Sequence, residues 1–79
     1  MKQFKAFSLL NLGELNYELG QYSKALDYIE KSLEISSEIG DKLGQTVGLI
    51  TKTQIYQKLG KHSQSLELAL KSLKMAREI

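Results

Sequence analysis

The chain has 79 residues, 42% of them hydrophobic and 25% charged, with a net charge of +2 and neither cysteine nor proline. These values describe one small folded domain, and they exclude disulfides and thiolate metal sites, which fits a reducing, cytoplasmic location. No stretch approaches the roughly 20 apolar residues that cross a membrane, and Lys2 and Lys5 interrupt the start of the chain where a signal peptide needs an apolar segment.

Apolar side chains three and four positions apart indicate amphipathic helices, because these positions share one helical face. In the second helix, for example, this face carries Leu26, Ile29 and Leu33. Taken in chain order, the spacing predicts four helices, near residues 3–19, 22–39, 42–59 and 62–78. The predicted fold class is therefore all-α.

Glycines mark the three connections between these helices. Gly20, Gly40 and Gly60 each follow a helix and can adopt the left-handed conformation that ends one. A residue that favours helix starts stands close behind each glycine: Ser23, Asp41 and Ser63. Because the connections are only two or three residues long, consecutive helices must fold back antiparallel.

The same pattern occurs twice, with a period of 40 residues. Leu19-Gly20 recurs as Leu59-Gly60, and the 19 residues after each dipeptide align without a gap. Within that alignment Lys31-Ser32-Leu33 matches Lys71-Ser72-Leu73. We therefore predict a single domain, 1–79, in which repeat 1 spans 1–40 and repeat 2 spans 41–79. Each repeat is a helical hairpin, and the two hairpins stack as an α-solenoid.

The repeats resemble the tetratricopeptide repeat, whose pattern is W-x₂-L-G-x₂-Y, then A-x₃-F, then P. In the first unit Leu12-Gly13 is intact, and Ala25 and Ile29 occupy the Ala and Phe places. In the second unit Tyr56 is kept, whereas Lys52-Thr53 replaces Leu-Gly. The period of 40 is similar to that of a longer-helix subclass found in scaffold and cargo-adaptor proteins. This resemblance implies a module that binds a partner protein or peptide.

The resemblance also implies where a partner would bind. In the longer-helix subclass an Asn before Leu-Gly often lines a concave groove, and that residue here is Asn11, with Thr51 at the equivalent place in repeat 2. The implied groove follows the first helix of each hairpin, and its members are Phe7, Asn11, Glu14, Glu18, Thr51, Gln54 and Lys58. The apolar residues of this face are explained equally well as plain core: Phe7, Leu10, Val47 and Ile50.

No residue pattern supports catalysis, a cofactor or a metal site. His62 has no cysteine or acidic neighbour at metal-ligand spacing and simply replaces Tyr22 at a helix start. Glu30 and Glu34 lie one helical turn apart, but a solvated helix face explains them better than acid–base chemistry does. No serine has a base at a recognisable spacing, and no glycine-rich phosphate loop is present. We predict that the protein is not an enzyme.

Charge is distributed unevenly along the chain. Residues 1–40 carry four basic and six acidic side chains, whereas residues 41–79 carry seven basic and three acidic ones. This asymmetry favours an acidic partner for the second half, or one copy of the chain beside another. The seven cations are scattered rather than clustered, so we do not expect nucleic-acid binding; binding of an anionic surface by the second half is a weak alternative.

The fourth helix favours self-association. Leu66, Leu70 and Leu73 spread apolar side chains over more than one face, and the place of Leu70 is held by Glu30 in the first unit. A repeat buries its outer face on the next repeat or on a polar capping helix, and neither follows in this sequence. We therefore expect two copies to pair through their last helices as a homodimer. Two alternatives remain open: a purely structural dimerisation element without a groove ligand, and a fragment of a longer repeat scaffold.

Overall fold

Four helices form the fold, as the sequence predicts. The computed structural model describes residues 2–78, so Met1 and Ile79, the ends of the predicted domain, lie outside the described residues. The helices are α1 (Lys2–Glu18), α2 (Tyr22–Glu38), α3 (Lys42–Lys58) and α4 (His62–Arg77). Every boundary falls within one residue of its predicted place, and the described residues contain no strand. The all-α fold class is confirmed.

The three glycines at the helix connections have the backbone conformation that the sequence predicts. Gly20, Gly40 and Gly60 adopt positive φ angles of 78°, 68° and 76°. A side chain other than glycine is strained in this region, because its Cβ approaches the following carbonyl oxygen. Each glycine therefore ends one helix and reverses the chain, which sets consecutive helices antiparallel.

The helix starts differ from one another more than the sequence indicates. Asp41 caps α3, since its Oδ1 accepts a hydrogen bond from the backbone N–H of Gly44 at 3.0 Å. Ser23 and Ser63 lie one residue inside α2 and α4 instead of capping them. The N-cap residues there, Gln21 and Lys61, make no side-chain cap bond.

Small residues allow the two helices of each hairpin to approach closely. A methyl group on Gly13 would collide with Ile29 Cδ1 and lie 2.7 Å from Ile29 Cγ1, so α1 and α2 touch at a point where only glycine fits. Four further small residues are buried, with exposed fractions of 0–7%: Ala25, Ser32, Ser65 and Ser72. Small residues therefore line the contact between the helices of both hairpins.

The core lies in the first three helices. Leu10, Ala25, Ile29 and Ile55 form its buried cluster. Half-buried apolar side chains surround this cluster: Tyr17, Tyr22, Leu26, Leu33 and Val47. Among the described residues α4 adds only two serines to the buried set. The apolar side chains of α4 are therefore left for some other contact.

The helices are arranged as two layers that curve. Along the chain each helix packs on the next, and α1 also touches α3. Within residues 2–78 no Cα atom of α2 lies within 8 Å of a Cα atom of α4. Because the first helices of the hairpins meet and the second helices do not, α1 and α3 lie on the concave side. This is the arrangement in which stacked hairpins build a solenoid.

Equivalent ion pairs repeat the same contact in both hairpins. Lys2 Nζ lies 3.1 Å from Glu38 Oε2, and Lys42 Nζ lies 2.8 Å from Glu78 Oε2. The hydrogen bond from Lys42, together with its positive charge, lowers the pKa of Glu78 below its ordinary value. Both pairs are exposed, so each stabilises the fold little; their value is that they confirm the 40-residue register.

The contact at Gly13 makes a prediction about stability. We expect Gly13→Ala to lower the free energy of unfolding by about 1–2 kcal/mol, because overpacking costs ~1–3 kcal/mol and the better helix propensity of alanine returns up to ~1 kcal/mol. Urea unfolding followed by circular dichroism measures this loss. The matched control is Gly48→Ala, whose methyl group meets only the movable end of Leu33, so its loss should be smaller. Equal stability of the Gly13 variant and the wild type would contradict the packing.

Candidate interaction surfaces

A first cavity of about 390 Å³ lies between the first half of α1, the second half of α2 and the first turn of α3. Phe4 and Phe7 stand on its α1 side, and they are 71% and 62% exposed. Two large aromatic side chains so open to water are unusual unless a partner covers them. The remaining residues that line the cavity are Gln3, Ala6, Leu10, Ser32, Ser36, Asp41 and Gly44.

The polar groups of this first cavity are largely engaged within the protein. Ser32 Oγ donates a hydrogen bond to the carbonyl oxygen of Ala6 at 2.8 Å, and this bond is buried. Asp41 uses Oδ1 to cap α3. The exposed part of the lining is therefore mostly aromatic and aliphatic carbon, which suits an apolar side chain rather than a charged group.

Phe4 of α1 and Gly44 of α3, which both line the first cavity, occupy the same position of the 40-residue repeat. A Cβ on Gly44 would lie 2.8 Å from Ser36 Oγ. The start of α3 therefore packs close to α2, whereas Phe4 at the start of α1 is exposed.

The two cavities include only two of the predicted groove residues. Phe7 lines the first cavity, and Gln54 lines a second cavity between α3 and α4. The remaining exposed members of the predicted groove lie outside the lining of both cavities: Asn11, Glu14, Glu18 and Lys58. Of the apolar residues on this face, Leu10 is core, Val47 is half-buried, and Phe7 and Ile50 are exposed.

Thr51 requires a correction, because it is not available to a ligand. Its exposed fraction is 5%, and its hydroxyl donates a hydrogen bond to the carbonyl oxygen of Val47 at 3.1 Å. The reason is its helix: α3 packs extensively against both α2 and α4, whereas α1 packs extensively against α2 and touches α3 only over a small area. Asn11, its equivalent in repeat 1, is exposed.

The second cavity, of about 410 Å³, lies on the open side of the second hairpin. Its lining comes from α3 and α4 in nearly equal parts: Thr46, Ile50, Thr53, Gln54, Gln57, Ala69, Ser72, Leu73 and Ala76. In repeat 1 the equivalent side of the hairpin is covered by α3. The second cavity therefore lies where a further helix would pack if the repeat continued.

The residues predicted for self-association lie at or near the second cavity. Leu66, Leu70 and Leu73, which we call the tail face, are 63%, 61% and 51% exposed. Their counterparts Leu26 and Leu33 in α2 are half-buried against the core, and Leu33 packs on Gly48 of α3. The tail face is thus apolar, as a helix–helix contact is, but no helix within residues 2–78 packs against it.

Phe4 is a candidate interaction residue that the sequence did not single out. Its spacing from Phe7 is three residues, the spacing of neighbours on one helical face, and this was the available signal. The sequence alone gave no sign that the opposite wall would be glycine, because Gly44 reaches the cavity only after the hairpins stack.

Residues 2–78 contain no group of three histidine, aspartate or glutamate side chains placed to hold a metal ion. None of the four helices is long and apolar enough to span a bilayer.

Comparison with known proteins agrees with the geometry. A family model described as tetratricopeptide repeat matches residues 5–78, and so it extends over both hairpins. Among curated proteins none matched the chain.

The cap at Asp41 gives a prediction about the wall of the first cavity. We expect Asp41→Ala to lower the free energy of unfolding by about 1 kcal/mol, because the N–H of Gly44 loses its partner. Asp41→Asn serves as the matched control, since an amide oxygen also caps a helix and should retain most of the stability. Urea denaturation of both variants measures the difference. If the asparagine variant loses as much as the alanine variant, the cap is not what holds the first turn of α3.

Proposed function

This chain belongs to the tetratricopeptide repeat family, and on that basis we propose that it binds a peptide segment of a partner protein in the first cavity and self-associates through α4. Domains of this family generally bind proteins or peptides and are typically non-catalytic scaffolds. The family membership makes the chain a protein-interaction module in general. The choice of site and the self-association are our proposals, together with a cytoplasmic location.

The exposure of Phe4 and Phe7 is the observation that carries the peptide site. Aromatic side chains are enriched among the residues that dominate binding free energy, and they act where a partner removes water from them. The first cavity, of about 390 Å³, falls within the ~300–1,000 Å³ typical of ligand sites. It has room for one large apolar side chain of the ligand between the two rings and Leu10.

The rest of α1 supports a ligand that extends beyond this anchor. Asn11, Glu14 and Glu18 follow Phe7 at helical spacing and are exposed. An asparagine side chain can donate to and accept from a peptide backbone, and the two glutamates favour a basic residue in the ligand. The preferred ligand is therefore a peptide with a large apolar residue and a basic residue on one side of it.

Self-association through the tail face is supported by its exposure. Three leucines, Leu66, Leu70 and Leu73, lie more than half exposed on one helix, and contiguous exposed apolar patches mark association surfaces. A purely structural role is the second candidate function: on that hypothesis assembly through the tail face is the whole function and the first cavity has no ligand.

A display experiment tests the peptide site. Random peptides are selected on the immobilised chain, and the dissociation constants of the recovered peptides are measured by fluorescence anisotropy. We expect the recovered peptides to share a large apolar residue and Phe7→Ser to weaken their binding at least about tenfold, a loss of ~1.4 kcal/mol.

The matched control in that experiment is Leu43→Ser, which removes a leucine of similar exposure (63%, against 62% for Phe7) outside the cavity lining. Its binding should equal that of the wild type. Recovered peptides that bind the Phe7 variant as tightly as the wild type contradict the site. If no peptide is recovered although the chain self-associates, the purely structural function is favoured instead.

A further inference from the structure

We infer that the tail face of one copy is covered by α1 of a second copy, so that the copies continue the repeat head to tail. The surface of α1 that would dock, which we call the head face, consists of Ser8, Leu12 and Leu15. The inference rests on the self-association proposed above and names its geometry. The template for it is the joint between α2 and α3, which the chain itself contains.

Two contacts define that internal joint. Glu30 Oε1 of α2 lies 3.4 Å from Lys52 Nζ of α3. Leu33 of α2 packs against Gly48 of α3 so closely that a Cβ on the glycine would lie 2.7 Å from Leu33 Cδ2. A helix that docks on the tail face in the same register meets the residues 40 positions further along, Leu70 and Leu73.

In the head-to-tail joint the Glu30–Lys52 ion pair would be replaced by two residues that are both apolar. Leu70 stands at the place of Glu30, and Leu12 stands at the place of Lys52. A leucine at only one of these places would leave the opposing charge without a partner, which is costly at a contact. Here both places carry leucine: Leu70 is 61% exposed and Leu12 is 40% exposed. The internal joint is ionic at this position, and the head-to-tail joint would be apolar at the same position.

The second contact of the internal joint, between Leu33 and Gly48, also has an equivalent in the head-to-tail joint. Leu73 stands at the place of Leu33, and Ser8 stands at the place of Gly48. Serine is small enough to accept a leucine, although its Cβ requires the flexible end of Leu73 to move aside. The joint therefore keeps a large residue against a small one.

Residues of α3 that the internal joint buries have counterparts on α1 that are exposed to water. Ile55 of α3 is fully buried and belongs to the core cluster, whereas its counterpart Leu15 is 52% exposed. Val47 is half-buried in the joint, so its counterpart Phe7 would stay partly open to the first cavity after docking. Docking thus covers the leucines of the head face, and Phe4, whose counterpart Gly44 packs on α2 at the internal joint, would then lie against α4 of the other copy.

The distribution of charge favours head-to-tail pairing over pairing of two α4 helices. With four basic and six acidic side chains, residues 1–40 have a net charge of 4 − 6 = −2, and with seven basic and three acidic, residues 41–79 have 7 − 3 = +4. Tail-to-tail pairing brings two positive halves together, while head-to-tail pairing places a negative half against a positive one. Complementary charge favours the second arrangement.

The two geometries also predict different masses. A head-to-tail contact joins two different surfaces, so each added copy offers the same free end to the next. The average molar mass should rise with concentration beyond twice 8.9 kDa. Tail-to-tail pairing joins a surface to itself and stops at two copies.

The test exchanges the leucine pair for the ion pair of the internal joint. Leu70→Glu and Leu12→Lys are made separately and measured by light scattering on a size-exclusion column over a range of concentrations. Each alone opposes a charge to a leucine, and we expect each to weaken association more than about tenfold. A mixture of the two variants, and the double variant, recreate a Glu–Lys contact and should associate again.

The controls keep the result interpretable. Both positions are exposed in the single chain, so circular dichroism should show unchanged helix content, and Leu43→Lys should leave the mass unchanged. Association that ignores Leu12→Lys, is not restored by mixing, or levels off at twice 8.9 kDa overturns the head-to-tail geometry and leaves self-association through α4 standing. A wild-type chain that stays monomeric at every concentration overturns both the head-to-tail geometry and self-association through α4. Peptide binding is tested separately by the Phe7 variant.

Discussion

The joint between α2 and α3 is the contact on which the rest of the structure depends. It holds the two hairpins together through the close approach of Leu33 to Gly48 and the Glu30–Lys52 ion pair, and it buries Ile55 in the core. A hairpin of this family has two sides, and burial of only one leaves the other in water. With two hairpins there is one internal joint, so the outer sides of α1 and of the second hairpin remain uncovered.

The surfaces available for function follow from this constraint. At the first cavity Gly44 packs tightly on α2, while Phe4, at the same repeat position, is exposed because no preceding hairpin lies against it within residues 2–78. The leucines of the head face and the tail face are exposed because they occupy joint positions without a joint. One packing geometry therefore gives both the candidate peptide site and the surfaces for assembly. The two functions are separable, because the first cavity and the Leu12–Leu70 positions share no residue.

The sequence predicted those features that depend on neighbours along the chain. Helix ends at Gly20, Gly40 and Gly60 and the small residues at Gly13 and Ala25 follow from local spacing, and the structure bears them out. Features that depend on another helix were not predictable. Thr51 was predicted as a groove residue because it is the counterpart of Asn11, but the packing of α3 against both α2 and α4 buries it. The contribution of Phe4 arises from the absence of a side chain 40 positions away.

Hydrogen–deuterium exchange at low and high protein concentration tests the central claim, that the uncovered sides of both terminal helices are covered by other copies. Covering a terminal helix suppresses its local opening, so the amides of α1 and α4 should exchange more slowly as concentration rises, while those of α2 and α3, already packed on both sides, should change little. Slower exchange confined to α4 would contradict the head-to-tail part of the account, and exchange independent of concentration in all four helices would contradict the claim as a whole.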